Sequence, residues 1–145
     1  MPNDIGHWKF FREFDINEWT GFVYKITNNQ SGRIYFGKKF FFMTTRKKVK
    51  NRKNRKKCLK ESNWKIYTGS SKWLNEDIIS LGKENFTFEI LSLHANRSSL
   101  AYKEVKMIVN SDALVLKDKY YNGVIPKIGY HPTPESEKEK EYKIM

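Results

Sequence analysis

The sequence predicts an α+β fold: a small, mainly antiparallel three-stranded sheet flanked by helices and interrupted by a basic insertion. Three observations predict it. Two aromatic-rich runs with period-two alternation flank the turn Asn28-Asn29-Gln30-Ser31-Gly32, the signature of a hairpin. Two later stretches space their apolar residues at helical intervals, and a third alternating run lies between them. At 145 residues and 39% hydrophobic content the chain has material for one well-packed core and not for two. The expected organisation is an N-terminal aromatic strap over 1–20, a main domain over 21–125 that carries the basic insertion at 46–60, and a tail over 126–145.

The strap (Trp8, Phe10, Phe11, Phe14, Trp19) has no helical or strand period and is expected to pack irregularly over the core. The hairpin follows, over 21–27 and 33–42. In its first strand Phe22, Tyr24 and Ile26 share one face while Val23, Lys25 and Thr27 share the other. The second strand runs on into Phe40-Phe41-Phe42-Met43, which is apolar on both faces and suits a central strand or a buried corner. Thr68-Gly69-Ser70-Ser71 is a turn ending in a helix N-cap, and Leu74, Ile78 and Leu81 with Gly82 mark the helix and its stop. A strand is expected over 86–91. Cap candidates Arg97-Ser98-Ser99 then open a second helix over 100–109. Pro126, Pro132 and Pro134 break regular structure in the tail, whose mixed-charge end reads as frayed helix or disordered.

The formal charge of +12 is a local device, because ten Lys and Arg and no acid fall between Arg46 and Lys60. Such a block repels itself and stays extended until a polyanion neutralises it, and nucleic acid is the obvious partner. Asn51 and Asn54, interleaved with the cations, can bond phosphates or base edges. An RNA-binding arm, a localisation tract and a solvated loop are the simpler readings of the same block. The single cysteine, Cys58, excludes an intramolecular disulfide and a cysteine-rich metal site and fits a reducing compartment. No apolar run spans a bilayer, and the N-terminus is too acidic and broken for a signal peptide, so a cytoplasmic location without a membrane partner is expected.

Glu104 is the residue that most needs a physical account. Leu100, Ala101, Val105 and Ile108 make the apolar stripe of the second helix, and Glu104 lies inside it. An unpaired charge there is costly, so the carboxylate needs a partner, either a metal or a lysine or arginine at the core edge.

Phe22-Val23-Tyr24 and Tyr35-Phe36-Gly37 resemble the paired tripeptides of the GIY-YIG nuclease family, with ten residues between the tyrosines. The order downstream agrees: Tyr67-Thr68-Gly69-Ser70-Ser71-Lys72, then Gly82-Lys83-Glu84-Asn85-Phe86, a glutamate on the next helix, and Asn122 after an aromatic pair. More narrowly the chain looks like phage-encoded Seg-like or homing endonucleases, which share the lysine-rich insertion and the YTGSSK-like turn. The resemblance covers Gly21 to Gly123.

It implies a metal-dependent DNA endonuclease, nicking or cutting both strands, in the cytoplasm of a bacterial host. Tyr24, Tyr35, Arg46 and Glu104 take the catalytic positions, and Glu104 holds Mg²⁺ (or Mn²⁺), an ion that keeps most of its waters and needs few protein oxygens. Either tyrosine acts as base only if a nearby cation or metal-bound water lowers its pKa from about 10, and Lys25, Lys38 and Lys39 are the candidate cations. DNA contacts fall to Lys38, Lys39, Arg46, Lys47, Lys48, Lys50, Arg52, Lys53, Arg55, Lys56 and Lys57 and to Tyr67, Ser70, Ser71, Lys72 and Asn122.

Three departures stand out. Phe22 occupies a glycine position, which affects how closely the backbone approaches substrate. The family's arginine lies on a helix about ten residues past the second tyrosine; Arg46 is nearest, with Arg52 and Arg55 as rivals. A histidine near the start of the following helix has no counterpart. These departures keep alive a catalytically inactive nucleic-acid-binding module on the same scaffold, and a regulatory protein that uses the arm on an acidic partner. Specificity is expected to come from the insertion, the strap, another protein or a homodimer, the last also a route to double-strand cutting.

Overall fold

The aromatic strap contributes a strand of its own. In the computed structural model, which describes residues 4–47, 56–125 and 142–143, the elements in chain order are β1 (Trp8–Lys9), β2 (Gly21–Asn28), β3 (Ile34–Phe40), β4 (Phe42–Lys47), β5 (Lys56–Glu61), α1 (Lys72–Leu81), β6 (Phe86–His94), α2 (Arg97–Asn110) and β7 (Tyr142–Lys143). The main sheet runs β1-β6-β2-β3, with β7 paired to β6, and β4 and β5 make a separate ribbon. The three strands legible in the sequence are its antiparallel centre, β2 pairing with β3 and β6. β1 adds a parallel neighbour to β6 and makes the sheet mixed. Trp8 draws it there: the indole is buried against Phe22, Tyr24 and Phe88 and donates its N–H to the Trp64 carbonyl.

The hairpin register sets Tyr24 opposite Gly37 and Ile26 opposite Tyr35. Asn28 holds the turn: its backbone N–H reaches the Arg33 carbonyl (2.8 Å), and its side-chain oxygen accepts from the Gln30 N–H (3.0 Å). Gly32 supplies the positive φ of 79° that closes it.

β3 ends at Phe40, earlier than the alternation suggests. Phe41 turns the corner, fully buried against Phe14, Phe22 and Trp64, and Phe42 opens the ribbon. Burying such a ring contributes about 1.5–3 kcal/mol, enough to bend a strand that would otherwise expose it. Ser62 fastens the corner, its hydroxyl donating to the Phe40 carbonyl (2.6 Å) and its backbone N–H to that of Phe41 (2.8 Å). The basic block supplies most of the ribbon, with Arg46 across from Lys57 and Lys47 from Lys56. Arg46 therefore sits on a strand and not on a helix.

Ser71 caps α1 by accepting from the Leu74 N–H (3.3 Å), and Gly82 ends it at φ +94°. α2 starts earlier than its seryl residues suggest, because Asn96 is the cap, accepting from the Ser99 N–H (2.8 Å). Ser99 turns inward and, with Ser92, brackets the buried His94 ring at 2.7 and 2.8 Å. The large core lies on the Phe22–Tyr24–Ile26 face of the sheet; α2 covers the other face, where Phe36, Ile108 and Ala113 cluster. Gly21 lets it approach, since a Cβ there would meet Leu100 Cδ2 at 2.8 Å.

After α2 the chain returns along the outer edge of β3. Ile34 donates to the Lys119 carbonyl (2.9 Å) and its own carbonyl accepts from Tyr121 (2.8 Å). The Tyr121 hydroxyl donates to Asp77 (2.7 Å) and accepts from the Asn28 amide (3.1 Å), which ties α1, β2 and this segment together. Of the tail over 126–145, only β7 is described, so its expected irregularity falls outside the described residues. Among the described residues no helix is long and apolar enough to cross a membrane.

Candidate active site

β3 is an edge strand, so the backbone groups of Ile34, Phe36, Lys38 and Phe40 that point away from β2 need partners. Ile34 finds Lys119 and Tyr121, and Phe40 finds Ser62. Phe36 is clasped by the Asn122 side chain, whose oxygen accepts from its N–H (3.0 Å) and whose amide donates to its carbonyl (2.8 Å). Lys38 donates its backbone N–H to the Glu104 carboxylate, and its ammonium joins the same carboxylate at 3.0 Å. Glu104 thus reaches the strand edge from α2.

From the other face come the phenols. Tyr24 is 1% exposed and lines a cleft of about 620 Å³. Its ring lies over Gly37, where any Cβ would overlap the phenol oxygen. Tyr35 lies beside it, ring centroids 6.1 Å apart, and its hydroxyl hydrogen-bonds to the Ser70 hydroxyl at 3.2 Å. Gly69, at φ +83°, brings the turn close: a Cβ there would meet the Tyr35 ring at 2.9 Å and the Tyr24 hydroxyl at 3.2 Å. Tyr67 meets Tyr24 edge-on at 6.2 Å and carries the Lys39 ammonium 4.0 Å over its ring. Tyr24, Tyr35, Lys38, Lys39, Tyr67, Ser70, Arg97 and Glu104 line the one cleft, because alternate residues of β3 present to it from both faces.

Burial pushes the Tyr24 phenol well above its ordinary value of 10.0, with further upward contributions from Tyr35, Tyr67 and the Glu104 charge. Tyr67 is raised for the same first reason. Among the described residues no lysine lowers Tyr24, since the desolvation of a ring sealed under Trp8 and Phe22 dominates. Burial also raises Glu104, only partly opposed by Lys38, and lowers Lys39.

A family model described as the GIY-YIG domain of the endonuclease segE matches residues 6–125. The chain belongs to this family. Neither a curated protein nor a solved structure matches it. The GIY-YIG match takes in β1 and the ribbon as well as the hairpin.

Asn122 lines the cleft, and its amide oxygen and nitrogen each bond to the Phe36 backbone, so it positions the edge strand. Ser71 is occupied as the α1 cap, and Lys72, exposed and 4.0 Å from Glu76, is not among the residues lining the cleft. Phe22 is fully buried on an interior strand and does not line the cleft. Lys48, Lys50, Arg52, Lys53 and Arg55 lie outside the described residues, as do the side chains of Arg46, Lys47, Lys56 and Lys57. The sequence reading passed over Arg97 as a cap candidate. It is exposed in the first turn of α2, its guanidinium 5.3 Å from the Phe40 ring at the cleft wall; its position one residue after a strong Asn cap was the available signal.

Among the described residues Glu104 is the one carboxylate lining the cleft, and they hold no group of three His, Cys, Asp or Glu suited to a metal. A single, 6%-exposed carboxylate fits an ion that keeps its waters and takes phosphate oxygens as further ligands, which is the coordination habit of Mg²⁺.

Proposed function

We propose that the chain is a Mg²⁺-dependent DNA endonuclease of the phage homing type, with its reacting centre at the edge of β3. One observation carries the reading: the buried Glu104 carboxylate and the Tyr24 and Tyr35 hydroxyls, from opposite faces of the sheet, open into the same cleft. Glu104 would hold Mg²⁺, and the ion when bound would supply charge stabilisation at the scissile phosphate.

The residues divide the remaining work by exposure. Tyr24, kept neutral by burial, donates a hydrogen bond to a phosphoryl oxygen as charge builds there. Tyr35, at the mouth and braced by Ser70, hydrogen-bonds and orients the attacking water, whose proton passes to solvent. Arg97 holds a non-bridging oxygen, the part first given to Arg46, and Lys39 adds positive field on the tyrosine side of β3. Water adds at phosphorus, one P–O ester bond breaks, and the departing sugar oxygen takes a proton from solvent. The lysines and arginines of the ribbon follow the flanking phosphates. One copy suffices for a nick, and a double-strand cut calls for a second.

Supercoiled plasmid with Mg²⁺ or Mn²⁺, beside Glu104→Ala, tests the reading; conversion to open-circular or linear DNA by the wild type alone is expected. The Lys38–Glu104 ion pair favours one competing reading, a binder whose carboxylate is neutralised from within. Absence of conversion across substrates, with salt-sensitive binding retained, selects that binder.

A further inference from the structure

Asn122 and Gly123 wall the cleft on one side and a second pocket on the other. That pocket, of about 390 Å³, is lined besides by Arg33, Trp73, Lys117, Asp118 and Tyr120, and shares no other lining residue with the first. Its size falls in the ordinary range for small-molecule sites. Gly123 forms a low sill between them: a Cβ added there meets nothing within 4 Å.

Trp73 is 61% exposed, whereas Trp8, Trp19 and Trp64 are each at most 9% exposed. A lone exposed indole needs no explanation, but this one shares a concavity with an organised cation. The Arg33 guanidinium lies 4.4 Å over the Tyr121 ring and donates from Nη2 to the Lys117 carbonyl at 2.9 Å. Its Nε is buried with no acceptor among the described residues. Lys117 adds a second cation and Asp118 one opposing charge, which leaves the lining positive. An aromatic plane beside fixed cations is how proteins hold an unpaired base and its phosphate.

We propose that this pocket takes one unpaired nucleobase of the DNA strand that crosses Gly123 from the cleft. The base stacks on Trp73 while Arg33 and Lys117 hold the adjoining phosphate. The inference rests on the nuclease reading and sharpens it: the preferred substrate carries a flipped or unpaired nucleotide next to the scissile linkage.

The test uses tryptophan fluorescence of the full chain in EDTA, so that nothing is cut. Probes are a single-stranded oligodeoxynucleotide of about 8 nucleotides, its abasic counterpart and a blunt duplex. The single strand is expected to quench the accessible tryptophan while the abasic strand and duplex quench little. Trp73→Ala is expected to weaken single-strand binding about 5- to 150-fold, the usual range for one stacked base, with Trp73→Phe restoring most of it. Equal affinity of Trp73→Ala and wild type, or equal quenching by the abasic strand, overturns the pocket. Plasmid nicking by the same preparations keeps the two ideas apart. A wild type that does not nick removes the nuclease reading while the binding data still decide the pocket, and a nicking enzyme indifferent to Trp73 removes the pocket alone.

Discussion

Lys38 donates to Glu104 twice, from its side chain at 3.0 Å and from its backbone N–H, so the carboxylate is at once a strand-edge partner and one half of an ion pair. Both contacts favour ionised Glu104 against the burial that raises its pKa. Lys38→Met removes the ammonium and leaves the backbone donor, so the carboxyl rises further. If the ionised form is needed for cleavage, activity is lost as pH falls through that pKa. The acid limb of kcat/KM against pH is then expected above the ordinary glutamate range in the wild type and higher again in Lys38→Met. An unmoved limb would assign it to another group.

Glu104→Gln separates chemistry from architecture. The amide oxygen still accepts from the Lys38 backbone, and the partly exposed ammonium can turn to water. Removing a charge whose ionised form burial disfavours relieves the fold at neutral pH. Nicking should fall at least about 10²-fold, while the melting temperature stays level or rises. A large drop in melting temperature would mark the residue as structural.

Arg97 and Arg46 are expected to behave differently. Arg97→Ala, at the cleft wall, should lower kcat about 10²-fold or more with little change in the salt dependence of binding. Arg46→Ala, on the ribbon, should weaken binding and shallow the slope of log K against log salt by about one phosphate contact, with kcat retained. Single-turnover rates and binding across a salt series read the two separately. The reverse pattern would return the transition-state role to Arg46.

His7 gives a pH test of stability. Stacked on Phe88 at 3.9 Å and edge-on to Trp8, its ring is pushed down to about 4 by burial, with the Lys83 charge adding to the effect. Between roughly pH 6.5, where the unfolded imidazole titrates, and pH 4 the unfolded chain binds the extra proton. Stability is therefore full above the upper value and falls on acidification through this window. Thermal melts from pH 7.5 to 4.5 should show that fall, and His7→Phe should flatten it. Parallel curves for the two proteins would locate the acid sensitivity elsewhere.

Local chemistry was legible in the chain itself. The Asn28–Gly32 turn, the alternation of β2 and β6, the Ser71 cap and the Gly82 stop depend on residues within a few positions of one another, and they formed as read. Glu104 stood out because a helical period is enough to place a carboxylate among apolar neighbours. The rest required contacts between distant residues. Trp8 becomes part of a strand because β6 offers a free edge and the core offers its indole a place. Phe41 ends β3 because the corner buries it. Asn122 looks like a DNA contact in the sequence, yet it lies within bonding distance of Phe36, 86 positions away, and serves that backbone. The convergence of Glu104, Tyr24 and Tyr35 belongs to this second class. Periodicity assigns each side chain a face, but only the pairing of strands and the seating of α2 determine that two opposite faces meet at one edge.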